Sequence, residues 1–147
     1  MSEQPIILSP AARPRALQIV GEKLTVLADN SVTNGYEVFL QEGPAGSGPP
    51  PHHHTWDEAF FILEGEVDFG VGERRLTATV GTFVHLPAGT SHWFRFGAAG
   101  GKMLSLTGAG SQASAFFTGV DAALPQGEMD VAVIERVASE HDLTIDV

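Results

Sequence analysis

Residues 46–65 have the sequence GSGPPPHHHTWDEAFFILEG, from which the architecture of the chain can be inferred. His52, His54 and Glu58 stand at even spacing between Gly46 and Gly65. Alternate residues of a strand point to the same face, so these three side chains share a face if the strand runs on without a bulge. Three consecutive prolines at 49–51 exclude a helix before the histidines and favour an extended approach.

A second stretch, GTFVHLPAGTSHWFRF at residues 81–96, supplies one more histidine. Its Pro87-Ala88-Gly89 sequence predicts a turn shortly before His92, which then starts a strand. His92 lies 34 residues beyond Glu58, so only a fold that brings two hairpins together can unite the four side chains. Three imidazoles and one carboxylate are good ligands for a divalent transition metal, and they leave coordination positions open.

The two stretches resemble the paired motifs of the cupin superfamily, and the chain is similar to small single-domain cupins of the quercetin dioxygenase type. The first motif is matched at each defining position, whereas the second ends in Phe96 where the family often has Asn. The resemblance implies an all-β fold, a cupin-type antiparallel β-barrel (double-stranded β-helix or jelly roll). It also implies one divalent transition metal (Fe, Mn, Ni, Co, Cu or Zn), held by His52, His54, Glu58 and His92.

Length and composition favour a single domain built from short strands. The 147 residues are enough for one hydrophobic core, and 17 Gly and 9 Pro suit strands joined by tight turns better than a helix bundle. The net charge of −10 argues against nucleic acid or an anionic membrane as partner. There is no Cys, no signal peptide is visible, and no apolar run approaches the ~20 residues of a membrane span. We therefore expect a cytoplasmic protein.

The expected organisation is one domain over residues 1–147, with a barrel core at about 16–108 and a C-terminal helical tail at about 109–147. The sequences Glu64-Gly65 and Gly72-Glu73 predict hairpin turns, and residues 97–101 predict a flexible loop before a last barrel strand at 102–107. In the tail, Ser111 and Asp130 are candidate N-caps for two helices, which we expect to pack outside the barrel or across its mouth. Further strands are predicted at residues 6–8, 16–20, 23–28, 36–41, 74–80, 83–86 and 92–96.

Apolar side chains are expected around the metal. Four of them share the parity of the candidate ligands and either line a substrate pocket or fill a small barrel: Phe60, Ile62, Phe94 and Phe96. Tyr36 is a candidate polar group near the mouth, or an ordinary strand residue. The direction of Trp56 stays open, because a turn or bulge between His54 and Glu58 could re-aim it.

Three functions are compatible with these residues. The resemblance favours a metal-dependent dioxygenase that acts on a small enol or phenol of the flavonol kind, with Glu58 as the catalytic base that takes the hydroxyl proton of the substrate. The same ligands would serve a non-redox isomerase, lyase or polyketide cyclase, in which the metal only polarises a carbonyl. The third function is a small-molecule binding or sensing module without catalysis. The resemblance also implies a homodimer, and the segment before Pro14 is a candidate for exchange between subunits.

Overall fold

The computed structural model describes residues 4–146, which form an antiparallel sheet curled into a half-barrel and covered on one side by helices. The strands are β1 (Leu17–Ile19), β2 (Glu22–Ala28), β3 (Glu37–Gly43), β4 (His52–His54), β5 (Glu58–Val71), β6 (Arg74–Ala78), β7 (Phe83–Leu86), β8 (His92–Thr107) and β9 (Leu143–Ile145). The helices are a 3₁₀ turn (Pro10–Ala12), α1 (Asn30–Thr33), α2 (Ala113–Ala123) and α3 (Val131–Ser139). The all-β class with a helical tail is thereby confirmed.

The two longest strands, β5 and β8, join the parts of the sheet. They pair with each other over most of their lengths, and β5 also pairs with β6 and β7. On its other side β8 contacts β3 and β4, which gives the strand order β1-β2-β3-β8-β4-β9. This order places the His52 backbone directly opposite His92, although the two residues are far apart in sequence.

Gly65 lies in a bulge, so the hairpin turn predicted at Glu64-Gly65 is wrong. The strand β5 runs through this point, and its register against β8 shifts between Gly65 and Val67. Gly65 has φ +70°, and a Cβ added to it would lie 2.2 Å from the backbone oxygen of Gly100. Only glycine combines this conformation with such a close approach of two backbones.

The predicted loop at 97–101 is also wrong, because these residues belong to β8. Gly65 pairs with Gly101 and Val67 pairs with Phe96, so residues 97–100 bulge outward opposite Glu66 alone. The glycine-rich composition permits the bulge without ending the strand. The turn predicted at Gly72-Glu73 is confirmed, since Val71 pairs with Arg74 around it.

The N-terminal residues differ from the expectation. Residues 5–9 have no regular structure, and Ile7 is 91% exposed, so the strand predicted at 6–8 is wrong. Of the segment before Pro14, residues 1–3 lie outside the described residues. The strand predicted at 16–20 is confirmed as β1, which turns into β2 through Val20 and Gly21. Both turn residues have positive φ, +44° and +87°, as in a type I′ hairpin.

The tail lies across the mouth of the barrel. Asp130 caps α3 by accepting a hydrogen bond from the backbone N–H of Val133, as predicted. Ser111 accepts one from the N–H of Ala113, but the N-cap of α2 is Gln112, so the N-cap predicted at Ser111 is wrong by one residue. Apolar faces of both helices pack on the sheet in one cluster: Ile19, Leu24, Phe39, Trp56, Phe116, Val120, Ile134 and Val137. No helix among residues 4–146 is long and apolar enough to cross a membrane.

The strand β9 follows the helices and was not predicted. It pairs with β4, so that His54 lies opposite Leu143 and His52 lies opposite Ile145. Asp146 holds the end of β9 against the barrel, because its carboxylate accepts hydrogen bonds from the Ser91 hydroxyl and the His53 ring. The histidine strand is therefore held on both edges, by β8 and by β9.

Candidate metal centre

Three buried histidines present the same ring nitrogen to a common point. The Nδ1 atom of each ring bonds a backbone carbonyl two residues away: Pro50 for His52, Trp56 for His54 and Thr90 for His92. Since a carbonyl only accepts, each Nδ1 carries a proton, and each Nε2 is left to bind a proton or a metal ion. Such outer hydrogen bonds fix the orientation of metal-binding histidines in proteins.

The free nitrogens converge beside one carboxylate. Candidate ligand atoms of His52, His54 and His92 all lie within 4.8 Å of one another. The Glu58 Oε1 atom lies 2.9 Å from Nε2 of His54 and 3.3 Å from Nε2 of His92. The longer contact lacks the geometry of a hydrogen bond, so the buried Nε2 of His92 has no hydrogen-bond partner among residues 4–146.

Burial and neighbouring charges set the protonation of the cluster. Burial lowers the pKa of His52 to about 3, and His92 acts in the same direction, so this imidazole is neutral at pH 7. Burial alone would raise the pKa of Glu58, but the hydrogen bond from His54 and the nearby His92 outweigh it and hold that pKa below its usual range. Burial acts to lower the pKa of His92, yet the Glu58 carboxylate outweighs burial and raises it.

The cluster fits a divalent metal. With Nδ1 of His54 donating to a carbonyl, its Nε2 faces a carboxylate oxygen at 2.9 Å, and the space between these two atoms takes either the proton of a hydrogen bond or a cation that both atoms can bind. Two ligand atoms at right angles and about 2.1 Å from one ion are about 3.0 Å apart, close to the distances found here. His52, His54, Glu58 and His92 therefore have the chemistry and the spacing to hold one ion.

An enclosed cavity adjoins the cluster and is lined mainly by apolar side chains. The sheet contributes Phe60 and Phe94, and the tail contributes Phe116, Val120, Ile134 and Leu143. Of the other predicted pocket residues, Ile62 and Phe96 lie in a second apolar cluster inside the barrel, with Phe69 and Met103, and do not line the cavity. Tyr36 is 50% exposed and does not line it either.

Trp56 faces inward, which settles the direction that the sequence left open. Its ring stacks on His54, with centroids 4.4 Å apart and planes 7° from parallel. It is 2% exposed and lines the cavity, and its Nε1 has no hydrogen-bond partner among the described residues. The stacked ring limits the rotation of His54 and shields it from water.

Glu22 and Gln41 also line the cavity, and sequence reasoning missed both. Glu22 is 1% exposed, and its Oε1 accepts a hydrogen bond of 2.6 Å from Nε2 of Gln41. A signal was present in the sequence, because Glu22 alternates with Leu24 and Val26 and therefore shares their face of β2. Recognising it requires knowing that a hairpin at Val20-Gly21 starts the strand at Glu22.

Comparison with known proteins gives the same assignment of the fold. Residues 39–106 match the family model described as Cupin domain. Quercetin 2,3-dioxygenase of Bacillus subtilis (strain 168) is 29% identical over 105 residues, which cover 69% of this chain and 31% of that protein. The chain thus spans about a third of the length of this relative.

Two solved structures have similar folds. The structure of KdgF from Halomonas sp. matches with a TM-score of 0.65 at 13% identity. The match covers 72% of this chain and 94% of the KdgF chain. The polyketide cyclase RemF from Streptomyces resistomycificus has a TM-score of 0.62 at 18% identity, with coverages of 71% and 80%. At these identities the likeness concerns the fold alone. Together with the match of residues 39–106 to the Cupin domain model, it shows that the chain is similar to cupins and has a cupin-like fold.

Proposed function

We propose that the protein is a metal-dependent dioxygenase that acts on a compact enol or phenol, with His52, His54, His92 and Glu58 as the metal ligands. The observation that carries the proposal is the convergence of three imidazoles and one carboxylate at the wall of an apolar, enclosed cavity. The distant relationship to quercetin 2,3-dioxygenase supports the redox reaction over other cupin chemistries.

The cavity limits the size of the substrate. The volume of the cavity is ≈ 50 Å³. Pockets for drug-sized ligands have about 300–1,000 Å³, so the closed cavity suits a molecule of roughly one ring. A three-ring flavonol would require α2 and α3 to move away from the mouth.

The residues around the metal would have different roles in the reaction. A bound divalent ion would supply Lewis acidity and a fixed position for the oxygen of the substrate. Glu58 is ionised at neutral pH, because its pKa is held low, which suits a metal ligand. Since a low pKa makes a weak base, transfer of the hydroxyl proton of an enol or phenol to Glu58 requires that the bound ion also lower the pKa of that hydroxyl. Phe60, Phe94 and Phe116 exclude water, which strengthens the electrostatic interactions inside the cavity.

A non-redox reaction is the second candidate, and one observation favours it. Two buried carboxyl groups, Glu58 and Glu22, line the same cavity. An acid and a base in one cavity are what an isomerase or cyclase needs for proton transfer. The fold likeness to a polyketide cyclase is consistent with this candidate but is too distant to support it further.

Metal content and oxygen consumption test both candidates. The protein is purified untagged without chelator, and its metals are measured alongside O₂ uptake on small phenols and enols. We expect about one Fe, Mn, Ni, Co or Cu per chain, and loss of most metal and O₂ uptake in His54→Ala, because one of three imidazoles is removed. His85→Ala is the matched control, since His85 is an exposed residue of β7, outside the cavity.

Each other outcome contradicts a specific part of the proposal. Full metal occupancy in His54→Ala would show that the ligand assignment is wrong. Zinc without O₂ uptake would favour the non-redox enzyme. A protein that binds no metal after reconstitution would favour the binding module.

The homodimer stays a prediction. Phe61 on β5 and Phe83 on β7 lie opposite each other and are 42% and 64% exposed, so they are candidates for its surface. Sedimentation of the metal-loaded protein tests it, and a monomer at micromolar concentration would rule out a stable dimer.

A further inference from the structure

The proposed dioxygenase reaction does not use every buried polar group of the cavity wall. The Glu22 carboxyl lies in the cavity wall at 1% exposure, and only its Oε1 atom is bonded, to Nε2 of Gln41. The other oxygen, Oε2, has no hydrogen-bond partner among the described residues. Buried polar atoms are nearly always paired, so an orphaned carboxyl oxygen in a cavity wall calls for an explanation.

The local backbone is built to hold Glu22 inward. The turn before it has Val20 at φ +44°, a conformation that a β-branched residue seldom adopts. Across the strand pair, a Cβ added to Gly43 would lie 2.4 Å from the Ser47 hydroxyl, 3.0 Å from the Phe96 ring and 3.1 Å from the Cβ of Glu22, so the missing side chain leaves room for all three.

A purely structural role accounts poorly for the pair. The strands β2 and β3 already pair backbone to backbone at Leu24 and Gln41, so a side-chain link adds little. Apolar residues of similar volume usually stabilise a buried site as well as or better than polar pairs do. Burial, with the Glu58 charge, raises the pKa of Glu22 to about 8 against the effect of the Gln41 hydrogen bond, so the carboxyl is mostly neutral at pH 7. Because Oε1 accepts from Gln41, the acid proton resides on Oε2.

We propose that Glu22 is a specificity-determining residue whose Oε2–H donates a hydrogen bond to a second oxygen of the substrate, while the first oxygen binds at the histidine cluster. The inference rests on the proposed function in so far as it takes the cavity to be the substrate site. It narrows the substrate to a compact, mostly apolar enol or phenol that carries a further carbonyl or hydroxyl group. Gln41 is then the positioning residue that directs Oε2 away from β3.

Two probes that differ in one oxygen test the proposal by calorimetry on the metal-loaded protein at pH 7. 4-Hydroxyacetophenone has a phenol and a carbonyl across the ring, and 4-ethylphenol lacks the carbonyl. We expect the wild type to bind the ketone about tenfold more tightly, the value of one buried hydrogen bond. Glu22→Gln keeps an acceptor for Gln41 and a donor in place of Oε2–H, so it should keep the preference. Glu22→Met keeps the shape without the donor and should lower the ratio of the two affinities about tenfold, while any preference that comes from the greater acidity of the ketone's phenol remains in both proteins.

Glu42→Met is the matched control, because Glu42 lies on the neighbouring strand and contacts Lys102 outside the cavity. It should behave as the wild type, and every variant should retain full metal occupancy. Equal affinity of the wild type for both probes, no binding of either, or a ratio of the two affinities that is the same in Glu22→Met as in the wild type would each overturn the proposal. If the preference follows Glu22 but no O₂ is consumed, the subsite stands and the dioxygenase assignment fails.

Discussion

The burial of Glu22 makes a prediction about stability that does not depend on any substrate. In the folded protein the pKa of this carboxyl is raised from 4.5 to about 8, chiefly by burial. Between these two pH values the unfolded chain releases a proton that the folded chain keeps. Raising the pH through this window therefore favours the unfolded state, and the loss levels off above about pH 8.

The size of the loss follows from the width of the window. Each pH unit costs about 1.4 kcal/mol, so the full window corresponds to about 5 kcal/mol, and entry of water beside the ionised group would reduce the observed value to about 3. Glu22→Gln has no proton to release. The free energy of unfolding of Glu22→Gln should therefore increase relative to that of the wild type, by about 3–5 kcal/mol between pH 5 and pH 9. For a chain of this length this amounts to a relative rise in Tm of roughly 6–20 °C.

Urea denaturation at intervals of one pH unit measures this difference. Metal-free protein is used so that proton release on metal binding does not add its own pH dependence. His52 and Glu58 titrate in both proteins, and their contributions cancel in the difference. Glu42→Gln, on the outer face beside Lys102, is the control and should run parallel to the wild type. Parallel curves for Glu22→Gln and the wild type would refute the reasoning, because Glu22 would then ionise as an ordinary exposed carboxyl.

Two further predictions concern packing. Gly65→Ala should lower the free energy of unfolding by more than about 3 kcal/mol in urea denaturation, because its Cβ would lie 2.2 Å from a backbone oxygen. Gly72→Ala should lower it by only about 1–2 kcal/mol, because Gly72 has φ +58° but nothing lies within 4 Å of its added Cβ. Equal costs would show that β5 and β8 separate easily at the bulge. Phe116→Ala should lower the free energy of unfolding by about 3–5 kcal/mol and enlarge the cavity. In steady-state assays, the KM for a three-ring flavonol should therefore fall relative to the KM for a one-ring phenol. An unchanged ratio of the two KM values would show that α2 does not limit the size of the substrate.

Local patterns predicted several parts of the molecule well. The spacing of His52 and His54 placed both on one strand face, and Asp130 marked the start of α3. The type of residue at a turn was informative where the turn was a simple hairpin, as at Gly72. The same reasoning failed at Gly65, because positive φ occurs both in turns and in bulges, and only the partner strand distinguishes them.

Other features were out of reach of such patterns. The hairpin at Val20-Gly21 lacks the usual Asn-Gly or Asp-Gly sequence, so Glu22 was not assigned to the inner face of a strand. The strand β9 has three residues, which is too short for any periodicity to show. Whether Phe96 would line a pocket or fill the core depended on how far the cavity extends into the barrel.

The amino-acid sequence by itself determined which side chains share a strand face, where α3 begins, and which residue types could bind a metal. These properties depend on neighbours within a few positions, where the geometry of the backbone is nearly invariant. Only the tertiary structure decided that β8 brings His92 opposite His52, that the tail closes the cavity, and that Gln41 meets Glu22. These contacts join segments that are distant in the chain, and the packing of the whole core selects them from many arrangements that local preferences allow equally.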